Sequence, residues 1–179
     1  MDLPSFNIEH LSFLCVESNQ FDRQILRSIL NALNVRNIRQ VPDVVSATRM
    51  LRAYPFDMLI TDLDTEPVDG TEFLRQLRSD INSPKRYLPV IVLTSRSTQR
   101  DVELCRDLGA HEFLAKPYSP NGLYSKICSI ITEARDFVEM DSYFGPDRRR
   151  QAMSVPQERR VKSPSTIVTE EEIKVLLAG

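Results

Sequence analysis

Short apolar runs that stop at polar residues alternate with stretches whose apolar positions recur at spacings of three and four, from Leu11 to Phe137. A run without internal period suits a strand buried on both faces; the three-and-four spacing marks one face of an amphipathic helix. Leu11-Ser12-Phe13-Leu14-Cys15-Val16 is the first run and ends at Glu17-Ser18-Asn19. Phe21, Ile25, Leu26, Ile29, Leu30 and Leu33 follow as a helical stripe, with Asn19 or Asp22 placed to cap it. Asn37 to Val41 is a short, weak strand. Val44, Val45, Ala47, Met50 and Leu51 then resume helical spacing up to Tyr54, between Pro42 and Pro55.

Met58-Leu59-Ile60-Thr61 is a buried strand that delivers Asp62 to the rim of a sheet, and Thr65-Glu66-Pro67-Val68-Asp69-Gly70 turns the chain away. Phe73, Leu74 and Leu77 mark a helix over Gly70 to Ser79, with a polar connection to Arg86. Leu88-Pro89-Val90-Ile91-Val92-Leu93, the most strand-like run, ends in Thr94-Ser95. Val102, Leu104, Cys105 and Leu108 predict a helix from Gln99 to Leu108, stopped by Gly109 in a left-handed cap. Glu112 to Ala115 is a brief strand ending in Lys116-Pro117, and Leu123, Ile127, Cys128, Ile130, Ile131 and Ala134 predict a last helix from Asn121 to Phe137. Strands alternating with helices in this way predict an α/β fold: a five-stranded parallel sheet covered on both faces by right-handed crossovers. Ligands of such sheets bind beyond the carboxyl ends of the strands, where Glu17, Asp62, Thr94 and Lys116 all fall.

Composition changes little in that picture. With 179 residues, 41% hydrophobic and 27% charged, the chain fits one domain of about 120 residues plus an appendage. A net charge of −2 gives no overall case for nucleic acid or an acidic membrane surface. Cys15, Cys105 and Cys128 lie far apart in apolar surroundings, as small buried hydrophobes in a reducing compartment do. His10 and His111 lack a second ligand at metal spacing and read as surface or capping residues. The N-terminus lacks a basic segment followed by an apolar run, and Leu88 to Leu93 is too short to span a bilayer, so a cytoplasmic protein without membrane insertion is expected.

Two carboxylates converging from neighbouring strands attract a divalent cation with oxygen ligands, Mg2+ being the best fit. A lysine, a threonine hydroxyl and such an ion are together what an aspartyl carboxylate needs to attack a phosphoryl group, because the equatorial oxygens carry charge that must be neutralised. The site therefore reads as a phosphoacceptor. Through Val16-Glu17-Ser18-Asn19, Asp62 to Asp69-Gly70, Val92-Leu93-Thr94-Ser95 and Phe113-Leu114-Ala115-Lys116-Pro117, the chain from about Leu11 to Thr132 resembles the response-regulator receiver domain of bacterial two-component systems. The resemblance implies a CheY-like, flavodoxin-like fold with strand order 2-1-3-4-5, in which Asp62 accepts phosphate from a histidine kinase or histidine phosphotransfer protein. It further implies that Glu17, Asp62 and the backbone carbonyl of Asp64 hold Mg2+. By the same resemblance Thr94 and Lys116 are expected to contact the phosphoryl oxygens, Thr94 and Phe113 to form the switch, and the bond from Lys116 to Pro117 to be cis.

The family usually has two consecutive acids after the first strand, whereas Ser18 offers only a hydroxyl here, which weakens Mg2+ binding unless Asp64 or water substitutes. Glu66-Pro67 also sets the proline one position later than the family's habit. The expected function is a stand-alone response regulator, phosphorylated on Asp62, that signals by protein contact to an unidentified downstream partner. It is not an enzyme beyond hydrolysis of its own phosphoryl group. The alternative is a degenerate, phosphorylation-independent adaptor, and an Asp-nucleophile phosphatase is set aside because the chain is too short for a cap domain.

The receiver is expected over 9–137, a basic linker over 138–168 and a short helix over 169–178. Residues 141–162 carry +3 against −5 for the rest, so Tyr143 and Phe144 are candidate anchors, with Arg148, Arg149, Arg150, Arg159 and Arg160 pairing with acids or phosphates of a partner. Thr169-Glu170-Glu171-Glu172 matches a capping box for a helix that would dock on the receiver, on a second copy as a homodimer, or on a partner. No helix-turn-helix length remains after Thr132, which argues against direct DNA binding. Deletion from Asp141 onward is expected to spare folding and phosphorylation and to remove partner binding.

Overall fold

The computed structural model describes residues 6–81, 84–133, 135–140, 143–148 and 160–161. Strands β1 (Ser12–Val16), β2 (Asn37–Val41), β3 (Met58–Thr61), β4 (Val90–Thr94) and β5 (Glu112–Ala115) alternate with helices α1 (Gln20–Ala32), α2 (Val44–Ala53), α3 (Gly70–Ser79), α4 (Gln99–Asp107) and α5 (Pro120–Thr132). The strands form one parallel sheet in the order β2-β1-β3-β4-β5, as expected. The period-two alternation of each strand feeds two cores. Phe13, Cys15, Met58, Ile60, Ile91 and Leu93 meet Leu26 and Leu30 of α1 and Leu123 and Ile127 of α5. Leu14, Val16, Leu59, Val90 and Val92 meet Ala47 and Leu51 of α2, Phe73, Leu74 and Leu77 of α3, and Cys105 of α4. Each fully buried Leu, Ile or Phe contributes about 1.5–3 kcal/mol relative to exposure, so these layers fix the sheet. The strand order reverses at β1, and the crevice between the carboxyl ends of β1 and β3 is therefore where the site must lie.

Local signals behave as read, with exceptions. Asn19 caps α1, accepting the Phe21 and Asp22 N–H groups, and Gly109 takes φ +84° in the left-handed region. The three cysteines are free and buried. Phe21 and Ile25 do not join the buried stripe of α1: they are 76% and 53% exposed while Leu26, Ile29 and Leu30 are buried. A stripe six residues wide exceeds what one sheet face covers, so its outer edge stays in water.

The larger difference is at the end of the receiver. The last helix stops at Thr132 instead of Phe137: Glu133 leaves helical geometry at φ −105° and ψ 60°, its N–H closing the last turn on the Ser129 carbonyl. Where a linker is expected, β6 (Phe137–Met140) and β7 (Tyr143–Pro146) form an antiparallel hairpin, extended by β8 (Arg160–Val161) on the other side of β6. The hairpin packs at the amino-terminal edge of β4 and β5, opposite the site. Phe137 and Phe144 stack edge-on against Tyr87, with ring centroids 5.1 and 5.3 Å away, and Phe137 lies 5.5 Å from His111. Arg78, buried at the end of α3, donates through Nε and Nη2 to the Gly109 carbonyl (3.1 and 2.8 Å) and through Nη1 to the Arg86 carbonyl (2.7 Å). His111 is thus not a surface or capping residue: it is half-buried beneath the hairpin, its Nδ1 accepting the Val90 N–H at 3.3 Å. No helix among the described residues is long and apolar enough to cross a membrane. The expected helix over 169–178 lies outside the described residues.

Candidate functional site

Asp62 follows β3 at once and is 4% exposed. Its backbone is held by the first residue of α3. The Gly70 N–H donates to the Leu63 carbonyl at 2.9 Å, and a Cβ on Gly70 would lie 2.2 Å from the Asp62 carbonyl oxygen, so only glycine permits this approach. The carboxylate is oriented from both sides: Oδ1 accepts the N–H groups of Leu63 (2.6 Å) and Asp64 (3.1 Å), and Oδ2 accepts the Lys116 ammonium at 2.7 Å.

Lys116, delivered by β5, also donates to Glu17 Oε2 at 2.5 Å and to Asp22 Oδ2 at 2.8 Å. Glu17 is fixed in turn through Oε1, which accepts the Asn19 N–H at 2.9 Å. One ammonium thus faces three carboxylates, a local charge of −2 if all are ionised. Burial opposes ionisation of Asp62, but Lys116, the Asp64 N–H and Thr94 outweigh it and hold the carboxyl below its ordinary value. Glu17 goes the other way, because burial outweighs Lys116 and the Asn19 N–H, and the Asp62 charge adds to the rise. Burial also opposes the Lys116 charge, yet Asp22, Asp62 and Glu17 together raise its pKa. Of the two, Asp62 is the acid whose charge the site favours more.

Thr94 is buried at the end of β4 and accepts the Arg96 N–H through Oγ1 at 3.2 Å. Phe113 sits opposite Val92 in the β4–β5 register, on the sheet face that Thr94 shares, and is half-buried. Ser18 Oγ donates to the Asp64 carbonyl at 3.0 Å, so the residue lacking a carboxylate touches the carbonyl expected to bind metal. The Lys116–Pro117 bond is cis, and so is Glu66–Pro67.

Two participants were not anticipated by the sequence reading. Asp22 was a capping candidate, yet Asn19 does that work and the Asp22 carboxylate turns to Lys116. Arg96 spans the mouth of the site, donating through Nε to Asp64 Oδ1 at 2.6 Å and through Nη2 to Asp69 Oδ2 at 2.8 Å, while Ser95 Oγ donates to Asp64 Oδ2 at 3.0 Å. The spacing of Asn19 and Asp22, two capping residues where one suffices, was the available signal for Asp22. Nothing local marks Arg96.

The tail residues expected to meet a partner are engaged within the chain where they are described. Tyr143 is buried and donates its hydroxyl to the Pro146 carbonyl at 2.7 Å, Phe144 packs on Tyr87 with Arg86 3.3 Å above its ring, and Arg148 pairs with Asp107 at 3.1 Å. Arg160 is placed by its backbone in β8, and Arg149, Arg150 and Arg159 lie outside the described residues.

The donor set suits a hard divalent cation, being carboxylates and a carbonyl. Among the described residues no three acid, thiol or imidazole groups stand arranged around a space for an ion. The reason is visible: Glu17, Asp22 and Asp62 close on the Lys116 ammonium instead.

The family model for the response regulator receiver domain matches residues 13–128. Chemotaxis protein CheY-3 of Vibrio cholerae is 24% identical over 123 residues, covering 69% of this chain and 93% of its own. Among solved structures, the receiver domain of a Pseudomonas aeruginosa sensor histidine kinase, with magnesium coordinated in its active site cleft, is 28% identical with a TM-score of 0.58, covering 66% of this chain and 94% of that one. A putative response regulator from Chloroflexus aurantiacus has a TM-score of 0.62 at 22% identity, covering 67% of this chain and 96% of its own, and bears on the fold alone.

Proposed function

The chain belongs to the response-regulator receiver family, and on that premise we propose that it accepts a phosphoryl group on Asp62 and signals through a phosphorylation-dependent protein contact. The observation that carries the reading is the buried Asp62 carboxylate, held between two backbone N–H groups and the Lys116 ammonium. A carboxylate oxygen of Asp62 attacks the donor's phosphorus. The bond from phosphorus to the donor's leaving group breaks, that group departs with the electron pair, and an acyl phosphate remains. Lys116 and the Thr94 hydroxyl balance charge on the phosphoryl oxygens. Glu17, Asp62 and the Asp64 carbonyl are the groups that would hold Mg2+, which supplies positive charge for the same oxygens when bound.

The donor is a histidine kinase or a histidine phosphotransfer protein. Phe21 and Ile25, one turn apart and exposed on α1 beside Asp22, offer apolar contact to a protein approaching the site. As a phosphoacceptor the chain turns over nothing but its own acyl phosphate. Labelling with acetyl phosphate or phosphoramidate tests the reading: one phosphoryl group per chain is expected with Mg2+, and none in Asp62→Asn. Absence of labelling at high Mg2+ would defeat it and leave the adaptor alternative, which Ser18 favours.

A further inference from the structure

Helices α2 and α3 leave a groove of about 430 Å3 between them, and none of Glu17, Asp22, Asp62, Thr94 and Lys116 lines it. Its walls are Thr48, Leu51 and Arg52 from α2 and Phe73, Gln76 and Leu77 from α3, each set at spacings of three and one. Leu51, Phe73 and Leu77 are buried and form the floor, while Arg52 and Gln76 stand exposed at the rim. A groove with walls of that period accepts the apolar face of a helix, whose side chains repeat in the same way. Lys85 also lines it and ties it to the end of α2, donating to the Tyr54 carbonyl at 3.1 Å.

The chain itself carries a segment that fits. Ile173, Leu176 and Leu177 have the spacing of one helix face and follow Glu170, Glu171 and Glu172. A helix of that length is marginal in water and forms when the face is buried. The segment sets three glutamates against Lys174, and the groove sets Arg52 and Lys85 against Asp80. Arg52 is held by no hydrogen bond or ion pair among the described residues, so its guanidinium is open to an acid. The path fits as well. Val161 of β8 pairs with Phe137, whose ring lies 5.1 Å from Tyr87, the last residue of the 3-10 turn Pro84–Tyr87 that carries Lys85. From there residues 162–168 reach up to about 25 Å. A short tether keeps the segment near the groove at an effective concentration on the order of millimolar, which a second copy in dilute solution does not reach.

We propose that residues 169–178 of this chain dock as a helix in the groove between α2 and α3, with Ile173, Leu176 and Leu177 towards Leu51, Phe73 and Leu77 and the glutamates towards Arg52. The segment is then an intramolecular ligand of the receiver. It covers α2 and α3 and leaves Phe21 and Ile25 of α1 exposed to a phosphodonor.

Amide hydrogen exchange of the full chain reads docking without any phosphoryl transfer, and a synthetic peptide of residues 169–179 sets the rate of the free segment. Amides of 173–177 are expected to exchange at least tenfold more slowly in the chain than in the peptide, with no change on tenfold dilution. Gln76→Trp, which fills the groove from its exposed wall, is expected to abolish that protection while the amides of β1 and β3 exchange as in the wild type. Arg52→Glu should reduce it several-fold, and adding Glu170→Lys and Glu171→Lys should restore it by exchanging the charges. Exchange at the peptide's rate in the wild type, or full protection in either single variant, overturns the proposal. So does failure of the charge exchange to restore protection. Protection that falls on dilution also overturns it, by giving the groove to the segment of a second copy.

Discussion

His111 is the residue at which pH acts on the fold. Its Nδ1 accepts a backbone N–H, and burial, then the charges of Arg78 and Arg135, keep its pKa well below the ordinary 6.5. The unfolded chain takes up a proton near that pH and the folded chain does not. Stability is therefore full above 6.5 and falls as the pH drops through it towards the folded value, by up to about 1.4 kcal/mol per pH unit. Glu17, whose folded pKa is raised, acts with the opposite sign, so the comparison must be internal. Urea unfolding at pH 7.5 and 5.5 is expected to lose about 1 kcal/mol in the wild type. His111→Asn, which keeps an acceptor and cannot titrate, should lose nothing over that window; equal losses would remove His111 as the cause. Phe21 makes a second prediction at this scale. Its side chain is 76% exposed, so Phe21→Ala should leave acetyl-phosphate labelling unchanged. Transfer from a phosphohistidine protein should slow about tenfold, the worth of about 1.4 kcal/mol of lost contact. Parallel slowing with both donors would show that α1 itself is disturbed.

The hairpin carries the argument at the scale of elements. Phe137 is 2% exposed among Tyr87, Phe144 and His111, and Phe137→Ala should cost about 3 kcal/mol by denaturant unfolding. That is a large share of the about 5–15 kcal/mol typical of a domain, so deletion from Asp141 onward, which uncovers Tyr87 and the Arg78 cradle, should lower the unfolding midpoint by several degrees. An unchanged midpoint would return β7 to the status of a tether. The receiver elements were legible because each buries a face whose period is written in the sequence: Phe13 and Cys15 to one side, Leu14 and Val16 to the other. Asp62, Glu17, Thr94 and Lys116 were legible as polar residues ending such runs. The hairpin was not, because its short strands expose Glu139 and Met140, and what stabilises it is distant, in Tyr87, Arg78 and Arg86. Asp22 and Arg96 escaped for a similar reason: their partners are brought close only by the crossovers.

At the scale of the whole molecule the two edges of the sheet differ in how firmly they are tied. At the amino-terminal edge of β4 and β5, Gly109 sits where a Cβ would come within 3.0 Å of both Arg78 Nε and the Phe144 carbonyl oxygen, and Arg148 joins Asp107, the last residue of α4. At the opposite edge α4 begins from Thr98 and buries only Cys105 along its length, with Val102 and Leu104 partly in water. An element with so few buried contacts opens at small free-energy cost. On the proposed reading, a phosphoryl group on Asp62 that draws the Thr94 hydroxyl takes it from the Arg96 N–H, which loosens the β4–α4 connection to what Ser95 and Arg96 hold through Asp64 and Asp69, while the far end of α4 stays pinned. Faster amide exchange is therefore expected in Arg96 to Asp107 on phosphorylation, with Phe137 to Pro146 unchanged. Thr94→Val should retain the label on Asp62 and lose the exchange response. If a stoichiometrically labelled wild type altered exchange in the hairpin as much as in α4, the two edges would form one cooperative unit and the pinned-end account would fail.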